Sequence, residues 1–180
     1  MGYRHSRDEI LEAAVAVALE AGMVGLTFSA VGERLQISDR TVVYYFPSKP
    51  DLVTAVVVAL GADLVQLLEQ AFGAEPSGPT ELLNRAWPVL TTPRADRVFA
   101  LYFEIIGLAT ARQAPYDALA RDLIEGWAQW LAPRTRGSTP AVRHRRALAT
   151  MAQIDGLLLL RQIAGAEAAE AAAREAGVRR

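Results

Sequence analysis

Cysteine is absent from this sequence, which excludes disulfides, thiolate nucleophiles and thiolate metal sites together and fits a reducing compartment. Histidine is scarce: His5 lies in a short N-terminal arm and His144 in an arginine cluster. Neither is accompanied by a nucleophile, a phosphate-binding loop or metal-ligand spacing, so no enzyme activity, metal or cofactor is expected. No run approaches eighteen uninterrupted apolar residues, and the N-terminus carries charges where a signal peptide needs an apolar core. The expectation is a cytoplasmic protein with no membrane partner. Strand-like alternation is missing as well, which makes the expected fold class all-α.

What remains is a chain with 52% hydrophobic residues, 22% charged residues and a net charge of −1, enough to bury a substantial core in 180 residues. Its densest signal is Thr27–Leu52, TFSAVGERLQISDRTVVYYFPSKPDL. Phe28, Val31 and Leu35 fall at helical spacing, with Ser29, Glu33 and Arg34 on the wet side. The run stops near Gln36, Ile37 bridges a turn, and Ser38 is placed for its hydroxyl to cap a second short helix. Asp39 sits in that helix's first turn, where negative charge suits the helix dipole. Asp39, Arg40 and Thr41 face outward. Two helices joined by a short turn, the second led by polar side chains, make a helix-turn-helix whose second helix enters the DNA major groove.

Thr27, Val31, Ser38, Thr41, Tyr45, Phe46, Pro47, Ser48, Lys49 and Leu52 stand in the order and spacing of the headpiece signature of the tetracycline-repressor (TetR) family of bacterial transcription regulators, which this stretch resembles. YYFPSKPDL is its most specific part. The sequence departs from the family pattern at three places: Gln36 stands where most members have Gly, Val43 where an aromatic is usual, and Arg40 where Gly is frequent. Gln36 is therefore expected to adopt the left-handed conformation that Gly takes easily. The resemblance implies an N-terminal three-helix DNA-binding domain, residues 1–52, and a helical-bundle domain for effector binding and dimerisation, residues 53–180.

Around this stretch the chain reads as further helices. Asp8 opens an amphipathic helix with the stripe Ile10, Leu11, Ala14, Val15, Ala18 and Leu19, ending at Gly22, and by resemblance it braces the reading pair. Ser48 caps a long helix reaching about Phe72, a natural lever between domains. Gly73–Pro79 breaks the chain. Helices are then expected over Thr80–Leu90, with Pro88 kinking or shortening it, over Ala95–Ala111, apolar on nearly every side, and over Pro115–Leu131. The polar loop Ala132–Pro140 precedes a long helix over Ala141–Ala164 and an alanine-rich one over Ala166–Ala176.

For DNA, the expected contacts are Arg40 and Thr41 on the groove floor, since Arg recognises guanine through two acceptors and Thr can touch a thymine methyl. Lys49 at a helix N-terminus suits a phosphate, hydroxyls of Thr27, Ser29, Tyr44 and Tyr45 suit the backbone, Ser38 and Asp39 at the start of the reading helix complete the expected DNA-binding set, and Arg4 or Arg7 could reach a minor groove. Phe46 is expected to pack. Residues 1–52 carry five basic residues against seven acidic ones. Each neutralised phosphate contributes about 0.9 to the log–log salt slope, so few are neutralised per headpiece and two must act together. A homodimer on a near-palindromic double-stranded operator is expected.

The resemblance places the pairing surface on the last two helices. Leu157, Leu160, Ile163 and Ala164 supply apolar area there, while Ala168 and Ala172 permit close approach; a solvated alanine-rich helix is the alternative. Candidate effector contacts are Trp87, Phe99, Tyr102, Phe103, Trp127, Trp130 and Met151, although any bundle core uses such residues. Glu104 and Asp155 sit among apolar neighbours, where an unpaired buried carboxylate costs several kcal/mol. Each either pairs with an arginine such as Arg112 or Arg161 or recognises a cationic or hydrogen-bond-donating ligand. The mechanism implied is a repressor released by an unidentified, largely apolar small molecule. Two other functions fit the residues: a DNA-binding protein without an effector, and a helical interaction module that no longer reads DNA.

Overall fold

The computed structural model describes residues 5–73 and 75–179. Arg4 and Arg180, from the basic arm and tail of the chain, lie outside the described residues. The described residues form nine α-helices: α1 (Arg7–Gly25), α2 (Phe28–Leu35), α3 (Asp39–Tyr45), α4 (Lys49–Phe72), α5 (Pro79–Leu90), α6 (Pro93–Thr110), α7 (Tyr116–Leu131), α8 (Pro140–Ala164) and α9 (Ala166–Glu175). Among the described residues there is no strand, only a single bridge between Ser77 and Thr135 that ties the two loops together.

Local chemistry sets most boundaries. Ser6 and Glu9 form a reciprocal capping box at the start of α1, and Ser48 and Asp51 form another at the start of α4. Thr27 accepts from the Ala30 amide to cap α2. Ser38 does not do the same for α3: its hydroxyl lies 3.1 Å from the Thr41 hydroxyl, and its backbone carbonyl takes the Thr41 amide instead. The side-chain pair thus replaces the cap expected from the sequence. Pro88 does not shorten α5, which continues to Leu90 because the proline falls in its last turn.

Two backbone positions shape the N-terminal helices. Gly22 has φ +74°, which breaks the helical path of α1 so that Met23–Gly25 form a separate turn. Gln36 has φ +57° and ψ +39°, the left-handed conformation expected of it. Within α2, Gly32 is buried against the turn. A Cβ there would stand 2.8 Å from the Ile37 carbonyl oxygen.

Two apolar cores result. The first gathers Ile10, Ala14, Val17, Met23, Val31, Val42 and Phe46 with Leu52, Val53, Val56 and Leu60 of α4, and with Leu101 and Ile105 of α6. The second joins the end of α4 (Leu68, Phe72) to α5, α8 and α9 through Trp87, Leu90, Leu158 and Ala169. α6 contacts α1, α5, α7 and α8, the central placement its all-round apolarity predicts. α4 packs on α1 near its beginning and on α5 near its end.

Candidate functional site

The N-terminal helices present the polar side chains singled out above in different ways. Thr27, Ser29, Ser38, Asp39, Arg40 and Tyr44 are exposed, and Thr41 is half-buried on the first turn of α3. Asp39 accepts from the Arg40 amide through its own side chain at 2.9 Å. Tyr44 is 79% exposed, its ring meeting Tyr45 edge-on at 5.0 Å.

Tyr45 and Lys49 are already engaged. The Tyr45 hydroxyl donates to the His5 carbonyl at 2.9 Å, holding His5 beside the helix-turn-helix. Lys49 is half-buried, with Nζ 3.4 Å from the Met23 carbonyl oxygen, and burial holds its pKa below the ordinary lysine value. Phe46 is buried as expected, and Arg7 lies over its ring at 4.8 Å.

Behind these helices lies a partly open cavity of about 110 Å³ between α4, α6, α7 and α8, with Leu90 of α5 also in its wall. Phe99, Tyr102, Trp127, Trp130, Met151 and Asp155 line it, which brings together most of the residues proposed from sequence for a ligand. Trp87 and Phe103 do not. Trp87 is buried in the second core, and its indole N–H donates to Glu170 at 3.2 Å. Phe103 packs against Phe99 and Tyr102 from behind. The sequence reading missed the α4 side of the wall: Val57, Leu60, Gly61, Leu64, Leu68 and Phe72. Their helical spacing was visible, but it marks equally a helix that buries one face in a core.

Among the described lining residues Asp155 is the one charged side chain. It has no arginine partner among the described residues; the Tyr102 hydroxyl donates to its Oδ2 at 3.2 Å. Burial pushes the Asp155 carboxyl up to about 6, partly offset by that hydrogen bond. Burial and the neighbouring Asp155 likewise hold the Tyr102 phenol above its ordinary value. Arg161, the partner considered for it, instead grips Asp96 through Nε at 2.6 Å and a second nitrogen at 2.9 Å.

Glu104 is not at the cavity. Its carboxylate accepts from the Met23 amide at 2.9 and 3.1 Å and from the Val24 amide at 3.3 Å. Neither of the roles expected for it, an arginine pair or a ligand contact, matches this placement. The amides are available because Gly22 breaks α1, and backbone donors have no sequence signature.

Of the pairing candidates, Leu157 is turned into the second core, and Leu160, Ala168 and Ala172 are half-buried. Ile163 is 80% exposed, and Ala164 is also exposed. The outward apolar stripe of α8 is Leu148, Ala152, Gly156, Leu159 and Ile163, all exposed. Their intervals of four, four, three and four are the signal that could have found them.

Residues 10–56 match the family model described as bacterial regulatory proteins, tetR family. No curated protein matches the sequence. Among solved structures, a TetR-family transcriptional regulator from Rhodococcus sp. is similar over 94% of this chain and 95% of its own, at 18% identity and a TM-score of 0.73. Multidrug binding protein EbrR complexed with imidazole is 25% identical over 98% of this chain and 91% of its own, with a TM-score of 0.72. The same protein complexed with proflavin gives 24%, 94%, 96% and 0.69 for the same measures. The headpiece signature, its family match and these whole-chain likenesses agree: residues 10–56 are a helix-turn-helix region of the tetR family type, carried on a chain with the fold of TetR-family regulators.

Proposed function

We propose that this DNA-binding regulator is a cytoplasmic repressor that holds a near-palindromic operator as a homodimer and is released by a largely apolar small molecule bound in the cavity. The single observation that carries the effector reading is the cavity itself. It is walled by α4, the helix whose first residues close the helix-turn-helix, and it is apolar except for the Tyr102–Asp155 pair. Ligand pockets have this composition, many apolar walls and few polar groups to orient the guest. At about 110 Å³ the cavity is small, below the roughly 300 Å³ at which ligand pockets begin. A larger guest therefore either widens the space between α4 and α6, α7 and α8 or extends through the open side of the cavity.

The functional division falls at residues 1–52 and 53–180, with α4 crossing it. Arg40 and Thr41 read bases, while Thr27, Ser29, Ser38 and Tyr44 meet the backbone. Asp39 orders the first turn of α3, and Tyr45 and Lys49 reach phosphate by exchanging their present carbonyl partners for it. The stripe from Leu148 to Ile163 pairs two copies. Ala152 and Gly156 let the helices approach, and Ala164 extends the apolar area. α4 is long and apolar enough to cross a membrane. Its apolar side chains serve the two cores and the cavity wall instead.

EbrR, bound to proflavin, is similar to this chain. It supports proflavin as a first probe, a planar cation whose charge Asp155 would face. The test is a titration of proflavin against the full-length protein bound to a duplex selected by it from a random pool. Because proflavin also intercalates into duplex DNA, release of the duplex at concentrations that leave an unrelated protein bound to its own duplex supports the reading; a proflavin complex that holds the duplex as tightly as the free protein does refutes it.

A further inference from the structure

Glu104 and Lys49 converge on one peptide from two sides. Glu104, on α6, accepts from the Met23 and Val24 amides, and Lys49, at the start of α4, reaches the Met23 carbonyl. Both helices wall the cavity: α6 through Leu101, Tyr102 and Ile105, and α4 through Val57, Leu60 and Gly61. The turn between them belongs to the N-terminal helices, and Gly22 makes it possible. Its φ of +74° turns the two amides outward, and a Cβ on it would stand 2.8 Å from Glu104 Oε2. A buried salt bridge would have satisfied Glu104 equally well, yet the carboxylate is spent on the backbone of the reading domain.

Accepting several backbone N–H groups is a strong, directional interaction for a carboxylate. Displacement of α6 by a fraction of an ångström must either drag the Met23–Val24 turn along or break these bonds. Tyr116 of α7 also senses this carboxylate, since burial and the Glu104 charge hold its phenol above the ordinary value.

We propose that Glu104 is the positioning residue through which occupation of the cavity changes the setting of the helix-turn-helix. This rests on the effector reading above. The Glu104 arm then carries the coupling to Met23, while Lys49 seats Met23 on α4 only until phosphate takes its ammonium. Coupling free energies between sites correspond to affinity changes of about 5- to 150-fold, and loss of the Glu104 arm should remove most of that factor without emptying the cavity.

The experiment uses full-length wild type, Glu104→Ala and Glu104→Gln, the latter retaining one acceptor oxygen should the alanine variant fail to fold. Duplex affinity is measured with and without saturating proflavin and corrected for the loss that intercalation causes in an unrelated protein's binding to its own duplex, and proflavin affinity is measured from its fluorescence in the absence of DNA. A ligand-free arm adds Gly61→Leu, whose side chain grows from a cavity-lining position where a Cβ meets nothing within 4 Å. The expected result is a duplex affinity lowered at least about 5-fold by proflavin or by Gly61→Leu in wild type. The Glu104 variants should show less than half of that factor on a logarithmic scale, with proflavin affinity unchanged. Variants that keep the full factor overturn the proposal and leave the effector reading intact. A wild-type duplex affinity indifferent to both proflavin and Gly61→Leu overturns the effector reading, and the proposal with it.

Discussion

The Tyr102 hydroxyl donates to Asp155 Oδ2 at 3.2 Å, joining α6 to α8 across a wall that is otherwise apolar. That pair makes stability depend on pH in a definite direction. The folded carboxyl titrates at about 6, against an ordinary value of 3.8. Between these values the folded state holds a proton that the unfolded state has lost, so stability falls as pH rises through the window. The penalty is complete above about pH 6 and absent below about pH 4. A difference of this size between the folded and unfolded carboxyl corresponds to about 3 kcal/mol. Asp155→Asn should therefore raise stability at about pH 7.5 by up to that amount and leave it unchanged near about pH 3.5. Urea denaturation of both proteins at the two pH values checks this.

Two left-handed residues should respond to substitution with opposite signs. Gly22→Ala places a Cβ on a backbone with φ +74° and into the Glu104 carboxylate, so a loss of about 1–3 kcal/mol is expected. Gln36→Gly removes the strain of φ +57° and should stabilise by up to about 1 kcal/mol. Thermal unfolding of the two variants gives both signs, and a stabilised Gly22→Ala would contradict the role given to that turn.

Base reading by α3 predicts a selective effect. Arg40→Ala should weaken the preferred duplex by about 1–3 kcal/mol and relax preference at one or two base pairs. Tyr44→Phe should weaken all duplexes about equally. Binding to a panel of single-substituted duplexes separates the two patterns.

The α8 stripe predicts that Ile163→Asp disrupts self-association while leaving the monomer folded. Leu157→Ala, in the core, should cost about 2–5 kcal/mol in stability and leave the association interface in place. Sedimentation velocity with circular dichroism distinguishes these outcomes.

The helices, and the polar residues of the helix-turn-helix, could be read from the sequence because capping residues, glycine breaks and apolar spacing act over a few neighbouring positions. Gln36 illustrates this: a turn of fixed geometry demanded a left-handed residue, and it is one. The cavity was legible through its aromatics, although Trp87 on α5 and Phe103, one turn beyond Phe99 on α6, have the same chemistry as Trp127 and Phe99 and differ only in where the fold places them. Leu157 and Ile163 show the same difficulty on α8, where a run of apolar residues hides which face is covered. Glu104 was recognisable as a carboxylate in apolar company. Its partners were not, because they are backbone amides exposed by a glycine far away in the chain, Gly22.

The central claim is that two helix-turn-helix units act together on DNA under control of the cavity. Footprinting of full-length protein on a selected duplex tests it most directly. The account predicts two protected half-sites separated by about one helical turn of 10–10.5 base pairs or a multiple of it, with protection lost as proflavin occupies the cavity. Protection of a single half-site by a monomer, or a footprint that persists with proflavin bound, would contradict it.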